Sequence, residues 1–214
     1  MNEERVTAFI IEWLKNKLKE SSQRGFVVGV SGGVDSAVTS TLCSLTSYPV
    51  AVVSLPLAQQ PEQLTRSLNH MNWLTKRFTN VKSFEVDLTS TFFTMQAALP
   101  TEAGDPLSMA NLKSRLRMSA LYSFANSNRF LVAGTGNKVE DYGIGFFTKY
   151  GDGGVDLSPI ADLLKSEVYS LANYLEIDKE IIDAPPTDGL WTDNRTDEQQ
   201  IGATYDQLEW ALKF

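Results

Sequence analysis

Four short runs of the chain are rich in apolar residues: residues 26–30, 50–55, 81–86 and 130–133. They are rich in β-branched and aromatic residues, and continuous runs of this kind predict parallel strands covered on both faces. Between the runs, apolar residues return at every third or fourth position. That spacing predicts helices over 35–45, 62–78 and 109–126. A further amphipathic helix is predicted over 1–20, with Val6, Phe9, Ile10, Trp13, Leu14 and Leu18 on one face. The pattern turns helical again past Thr204 and reaches Phe214 without a stop signal, an ending that fits a truncated chain or a docked terminus. Stretches 97–106, 134–154 and 184–197 read as loops. The middle one is long and Gly-rich enough to be functional.

Strands alternating with helices predict a doubly wound parallel sheet flanked by helices, an α/β fold with right-handed crossovers. No internal repeat or long linker divides the chain, so residues 1–214 are expected to form one domain. Ligands of such sheets sit beyond the carboxyl ends of the strands. Segments 31–36 and 134–137 both leave strands at that edge and can face one site.

Composition narrows the function classes. The chain has 214 residues, enough for one domain with a substantial core, and is 43% hydrophobic and 21% charged, as soluble globular proteins are. Its net charge of −7 argues against a basic nucleic-acid face, so any anionic substrate must be held by locally placed cations. The single cysteine, Cys43, allows no internal disulfide and reads as a buried, inert thiol in an apolar helix. The single histidine, His70, reads as a helix-face residue, and the usual zinc spacings are absent. No signal peptide is visible, and no apolar run approaches the roughly 20 residues that cross a bilayer. The expected location is the cytoplasm, with no membrane partner.

Chemistry is concentrated in residues 29–36, which read Gly29-Val30-Ser31-Gly32-Gly33-Val34-Asp35-Ser36. A strand, a turn of small residues and a helix start point backbone N–H groups at one spot, which makes an anion site. Gly32 and Gly33 let a ligand approach the backbone. Asp35 is the unexpected member, because a carboxylate beside a phosphate repels it unless a cation lies between. Asp35 therefore suggests Mg²⁺ as well as phosphate. No lysine follows Gly33 as a P-loop requires, and the Gly-x-Gly-x-x-Gly spacing of a dinucleotide fingerprint is missing.

The stretch resembles the Ser-Gly-Gly-x-Asp-Ser loop of the N-type ATP pyrophosphatases, whose fold is adenine nucleotide α-hydrolase-like. Later segments sharpen the likeness: the Asn111…Arg115-x-Arg117-Met118 helix, the Gly134-Thr135 turn, the run from Gly145 through Phe146, Phe147, Thr148, Lys149, Tyr150, Gly151 and Asp152 to Gly154, and the Pro185-Pro186-Thr187-Asp188-Gly189-Leu190 segment. In this order they are very similar to the bacterial ammonia-dependent NAD synthetases, from about Val28 to Leu208.

That resemblance implies a C–N ligase. ATP and deamido-NAD would form an adenylate at the nicotinate carboxylate with release of pyrophosphate, and ammonia would then expel AMP. Carried over by motif, residues Gly29 to Ser36 would cradle the ATP phosphates, with Thr135, Lys165 and Thr187 also in the ATP site. Asp35 and Glu140 would hold Mg²⁺. Asp35 and Lys165 would be the catalytic pair, with Lys165 neutralising phosphate charge. Arg115, Lys149 and Asp152 would contact deamido-NAD. The family's acceptor binds across a subunit interface, so a homodimer is expected, with the helix from Thr204 and the helix over 109–126 as interface elements.

Plainer readings stand beside these. Arg115 and Arg117 also fit a solvated helix face, Lys165 a surface charge, Glu140 a helix-start acid, and Phe146, Phe147 and Trp191 ordinary packing. Three departures from the family pattern stand out. Ser54 replaces a basic residue before Leu55-Pro56, the segment from Glu140 to Gly145 is one residue longer than the commonest form, and no His-Lys pair follows by Phe214. Two alternatives remain: amidation of nicotinate mononucleotide by the same chemistry, and an ATP-binding module without catalysis.

Overall fold

The computed structural model describes residues 1–58, 60–191, 193 and 195–213. Phe214, at the end of the last helical pattern, lies outside the described residues, as do Thr192 and Asn194 of the third predicted loop. Four parallel strands form one sheet: β1 (Gly25–Gly29), β2 (Val50–Ser54), β3 (Val81–Glu85) and β4 (Phe130–Val132). Their order is β3-β2-β1-β4. The chain builds outward from β1 to β3, then crosses back to place β4 on the other side of β1. Two connections therefore leave β1 and β4 in opposite directions, and the crevice between them is the switch point of the sheet.

Successive residues of β1 face opposite layers. Phe26 and Val28 pack with α1 (Glu3–Ser21), α2 (Val34–Leu45) and α6 (Lys165–Tyr174) through Leu14, Leu42 and Leu171. Val27 turns to the other face, where Phe92 of α4 (Thr89–Ala98) and Met118, Leu121 and Ala125 of α5 (Pro106–Asn128) cover it. Asp105 caps α5 by accepting from the N–H groups of Leu107 and Ser108, and Pro106 supplies the pre-set first turn. Helix α3 (Pro61–Arg77) joins the first layer through Met71 and Leu74. The short helices α7 (Lys179–Ile182), α8 (Asp197–Ile201) and α9 (Tyr205–Ala211) complete the described chain.

Several expectations need correction. The predicted strand ends Val30, Leu55, Val86 and Ala133 fall just outside the observed strands, and Ala133 makes only an isolated bridge to Leu157. β3 is not covered on both faces: it is an edge strand whose Lys82, Ser83, Phe84 and Glu85 are exposed. Phe9 is 71% exposed, because the buried stripe of α1 runs along Thr7, Ile10, Leu14 and Leu18 and leaves Phe9 to the side. Helix α4 lies where no element was expected; its apolar residues show no single face. The predicted loop 134–154 contains a π-helix, Lys138–Ile144. Cys43 is fully buried, and burial pushes its thiol up. His70 is also buried, on the inner face of α3, with Nε2 3.0 Å from the Ser40 hydroxyl; burial pushes it down to about 4. Among the described residues no helix is long and apolar enough to cross a membrane.

Leu42 is fully buried between α2 and the sheet. Leu42→Ala is expected to destabilise the domain by about 2–5 kcal/mol, read as a lower urea midpoint with an unchanged m-value.

Candidate active site

The turn after β1 is held by its own hydroxyls. Ser36 Oγ donates to the Gly33 carbonyl at 2.9 Å and accepts from the Ser31 N–H at 3.2 Å, while Ser31 Oγ accepts from the Gly33 N–H at 3.2 Å. No side chain caps the start of α2, so its first N–H groups stay available at the cleft wall. Gly32 has φ +89°, and an added Cβ would stand 2.4 Å from the Gln63 carbonyl oxygen. Glycine is required there twice over, by backbone conformation and by space.

A cleft of about 400 Å³ opens beyond this turn, lined from β1, α2, α5, the 134–152 segment and the 184–191 loop. Gly29 to Ser36, Thr135, Glu140, Asp152, Lys165 and Thr187 all line it. The ends of β1 and β4 thus converge as their topology requires.

At the inner end, Lys165 is 2% exposed. Its Nζ lies 2.6 Å from Asp35 Oδ2 and 2.8 Å from Glu140 Oε1. A lysine in the first turn of α6 opposes the helix dipole, and these two carboxylates offset that cost. Glu209 of α9 supports the same turn, accepting from the Ser166 N–H and hydroxyl at 2.7 Å each. Asn137 ties the two loops together. Its Oδ1 accepts from the N–H groups of Val139 and Glu140, and its Nδ2 donates to Asp35 Oδ1 at 3.2 Å. The Tyr205 hydroxyl donates to Glu140 Oε1 at 2.6 Å.

Burial pushes the Asp35 carboxyl up, more than the adjacent Lys165 charge draws it down. Burial acts the same way on Glu140, but Lys165 and the hydroxyl of Tyr205 outweigh it and hold Glu140 low. For Lys165, burial is overcome by its two carboxylates, and the ammonium is held charged.

The donor set fits Mg²⁺. Two carboxylates already converge on one cationic atom beside a phosphate turn, and hard oxygens in small number are what Mg²⁺ takes when phosphates complete its shell. Among the described residues no group of three or more ligating side chains converges, so the protein alone would supply only part of a coordination shell.

Lys138 to Ile144 form a π-helix. Its turn spans one residue more than an α-turn, and Glu140 within it reaches Lys165. Gly145 closes it at φ +69°. The following run folds back on α5: Thr148 Oγ1 donates to Asn111 Oδ1 at 2.6 Å, and Ser114 Oγ donates to Asp152 Oδ1 at 2.6 Å.

Arg115 and Lys149 are brought together but outside the cleft lining. Arg115 Nε donates to the Lys149 carbonyl at 3.0 Å, and both side chains are exposed. Arg117, on the other side of the helix from Arg115, lines the cleft and donates to the Leu55 carbonyl at 3.1 Å; burial lowers it to about 10. Thr187 Oγ1 is engaged within its own loop, donating to the Arg195 carbonyl at 3.1 Å. Ser54 is buried and accepts from Ser67 Oγ at 3.1 Å, so a hydroxyl pair fills the place of the expected basic residue. Sequence reasoning missed Asn137, Tyr205 and Asp197. The Thr196/Gln199 and Thr204/Gln207 capping boxes were legible as helix starts. Nothing local shows that those helices return to Glu140.

The parallel sheet of this order, flanked by helices, is the fold of the ATP pyrophosphatase class, shared with the solved NAD synthetases. The NAD synthase family model matches residues 6–214. The chain is 39% identical to the NH(3)-dependent NAD(+) synthetase of Carboxydothermus hydrogenoformans, over 99% of this chain and 86% of that protein. It is 40% identical to the one from Archaeoglobus fulgidus, over 100% of this chain and 84% of that protein. The chain belongs to the NAD synthase family. Archaeal and bacterial relatives both match, so membership of a bacterial branch does not follow. Among solved structures, the NMN synthetase from Francisella tularensis superposes with a TM-score of 0.92 at 31% identity, covering 100% of this chain and 87% of that one. The NAD+ synthetase from Burkholderia pseudomallei superposes at 0.76 with 26% identity, covering 98% and 80%.

Gly32→Ala is expected to weaken ATP binding at least tenfold by calorimetry. The strained φ at residue 32 should also cost about 1–3 kcal/mol in urea unfolding.

Proposed function

We propose that this ligase amidates deamido-NAD with ammonia, using ATP to form an adenylate on the nicotinate carboxylate and releasing pyrophosphate and AMP. The observation that carries this reading is the buried Lys165 between Asp35 and Glu140, at the mouth of a phosphate turn. Adenylation needs in-line positioning and charge neutralisation more than covalent help from the protein.

The residues divide that work. The turn within Gly29 to Ser36 cradles the departing pyrophosphate, with the uncapped N–H groups at the start of α2 as its donors. Thr135 and Thr187 flank the nucleotide. Asp35 and Glu140 would hold Mg²⁺, which supplies neutralisation of the phosphate oxygens when bound. Lys165, between those two carboxylates, would place its charge against the phosphate chain. Asp152 faces the acceptor from within the cleft. Arg115 and Lys149 would meet the acceptor's outer end, and their exposed position outside the cleft lining supports an acceptor that reaches a second subunit in a homodimer. The cytoplasm, where ATP is abundant, is the proposed location.

A second reading, amidation of nicotinate mononucleotide, rests on a likeness of fold alone. The Francisella protein called an NMN synthetase superposes at 0.92, against 0.74 and 0.76 for the NAD synthetases of Campylobacter jejuni and Burkholderia. The named relatives by sequence weigh for the dinucleotide.

Pyrophosphate release with ammonium, ATP and Mg²⁺ is expected to depend on deamido-NAD and to yield NAD by mass. Release only with the mononucleotide would move the assignment to the second reading, and release with neither would overturn both. Asp35→Asn is expected to lower kcat about 100-fold or more and to raise the Mg²⁺ concentration needed for half activity.

A further inference from the structure

One buried carboxylate of the cleft lacks the donors that its burial demands. Asp197 is 6% exposed and lines the cleft, and its Oδ1 has no hydrogen-bond partner. Its other oxygen fares little better. Oδ2 lies 3.4 Å from the Tyr205 hydroxyl, but that hydroxyl has one proton and points it at Glu140 Oε1, 2.6 Å away. Lys165 does not serve Asp197 either, since its ammonium is engaged by Asp35 and Glu140. The charges nearest Asp197 in effect are Glu140, Lys165, Asp188 and Asp35, three of the four negative. Burial, then the charge of Glu140, pushes the carboxyl up to about 7. A buried acid left without donors costs stability and calls for a ligand that supplies them.

The missing ligand must be small, cationic and a hydrogen donor. A bare divalent metal does not match, because it brings no N–H or O–H donor to Asp197 Oδ1. An ammonium ion matches on each count. It carries one positive charge and four donors in tetrahedral directions, so one N–H can meet Asp197 Oδ1 and another a lone pair of the Tyr205 oxygen. It is also the form in which ammonia reaches an enzyme in neutral water. We infer that Asp197, with the Tyr205 hydroxyl beside it, forms the subsite that takes up ammonium from solution before amidation. The inference rests on the amidating reading above and adds the residue that recognises the nitrogen donor. It also gives α8 and α9 a part in the reaction: α8 carries the carboxylate, and α9 holds the tyrosine against it.

Two measurements test the subsite on the full chain. The first compares thermal melting in ammonium chloride and in tetramethylammonium chloride at equal ionic strength, without nucleotides. The wild-type protein is expected to melt higher in ammonium, and Asp197→Asn is expected to lose that difference. This readout needs no activity, so it separates a wrong subsite from a wrong reaction. The second is kinetic. Asp197→Asn is expected to raise the KM for ammonium about tenfold or more, as loss of a charge-assisted hydrogen bond would. Its KM for ATP should stay within about twofold of wild type, and its acceptor-dependent exchange of pyrophosphate into ATP without ammonium should persist, if only KM for ammonium is affected. Asp197→Glu, which keeps the charge, should recover much of the ammonium affinity. An unchanged KM for ammonium, a loss of exchange in step with amidation, or rescue by added Mg²⁺ would each overturn the assignment. So would an identical melting difference in wild type and Asp197→Asn.

Discussion

The site depends on one ammonium group buried between two carboxylates. Lys165 reaches Asp35 from the turn after β1 and Glu140 from the segment after β4, so a single side chain joins the two arms of the switch point. Removing the lysine would leave the two carboxylates facing each other uncompensated, at a cost of about 3–5 kcal/mol. Asp35 and Glu140 are the residues that would hold a divalent cation, and Lys165 beside them carries a charge that would pair with a phosphate. Structure and chemistry here use the same charges.

The remaining architecture keeps that group in place. α6 presents Lys165 at its first turn, and Glu209 fastens that turn from α9. Asn137 holds Asp35 and the start of the π-helix in one network. The π-helix has a wide turn, and Glu140 within it meets both Lys165 and Tyr205. On the outer side, α5 receives the 145–152 run through Asn111 and Ser114, which sets Asp152 on the cleft wall. The cleft is acidic overall, so anionic substrates depend on Lys165, Arg66 and Arg117, which line it. An acidic wall that already carries Asp197 suits a cationic second substrate.

Much of this was legible from residue patterns. The strand runs at 26, 50, 81 and 130 all correspond to observed strands, because apolar β-branched residues have few other places to go. Errors arose where burial is decided by neighbours. β3 reads like its fellows but lies at the edge, and Phe9 shares the apolar character of Ile10 yet faces solvent. α4 has no amphipathic signal because its apolar residues lie around the whole helix.

The glycine turn, the acid within it and the ordered motifs up to residue 190 determined the fold class and the kind of chemistry by themselves. Each is a local requirement: a φ only glycine adopts without strain, an N–H array that points one way, a residue spacing on one helix face. Tertiary structure alone decided that Lys165 lies between Asp35 and Glu140, residues 130 and 25 positions away in the chain. It also decided that Tyr205 and Asp197 return to that group, that Arg117 faces the cleft, and that Arg115 and Lys149 lie outside its lining. Such pairings follow from strand order and from which helix covers which face, and no local pattern carries that information.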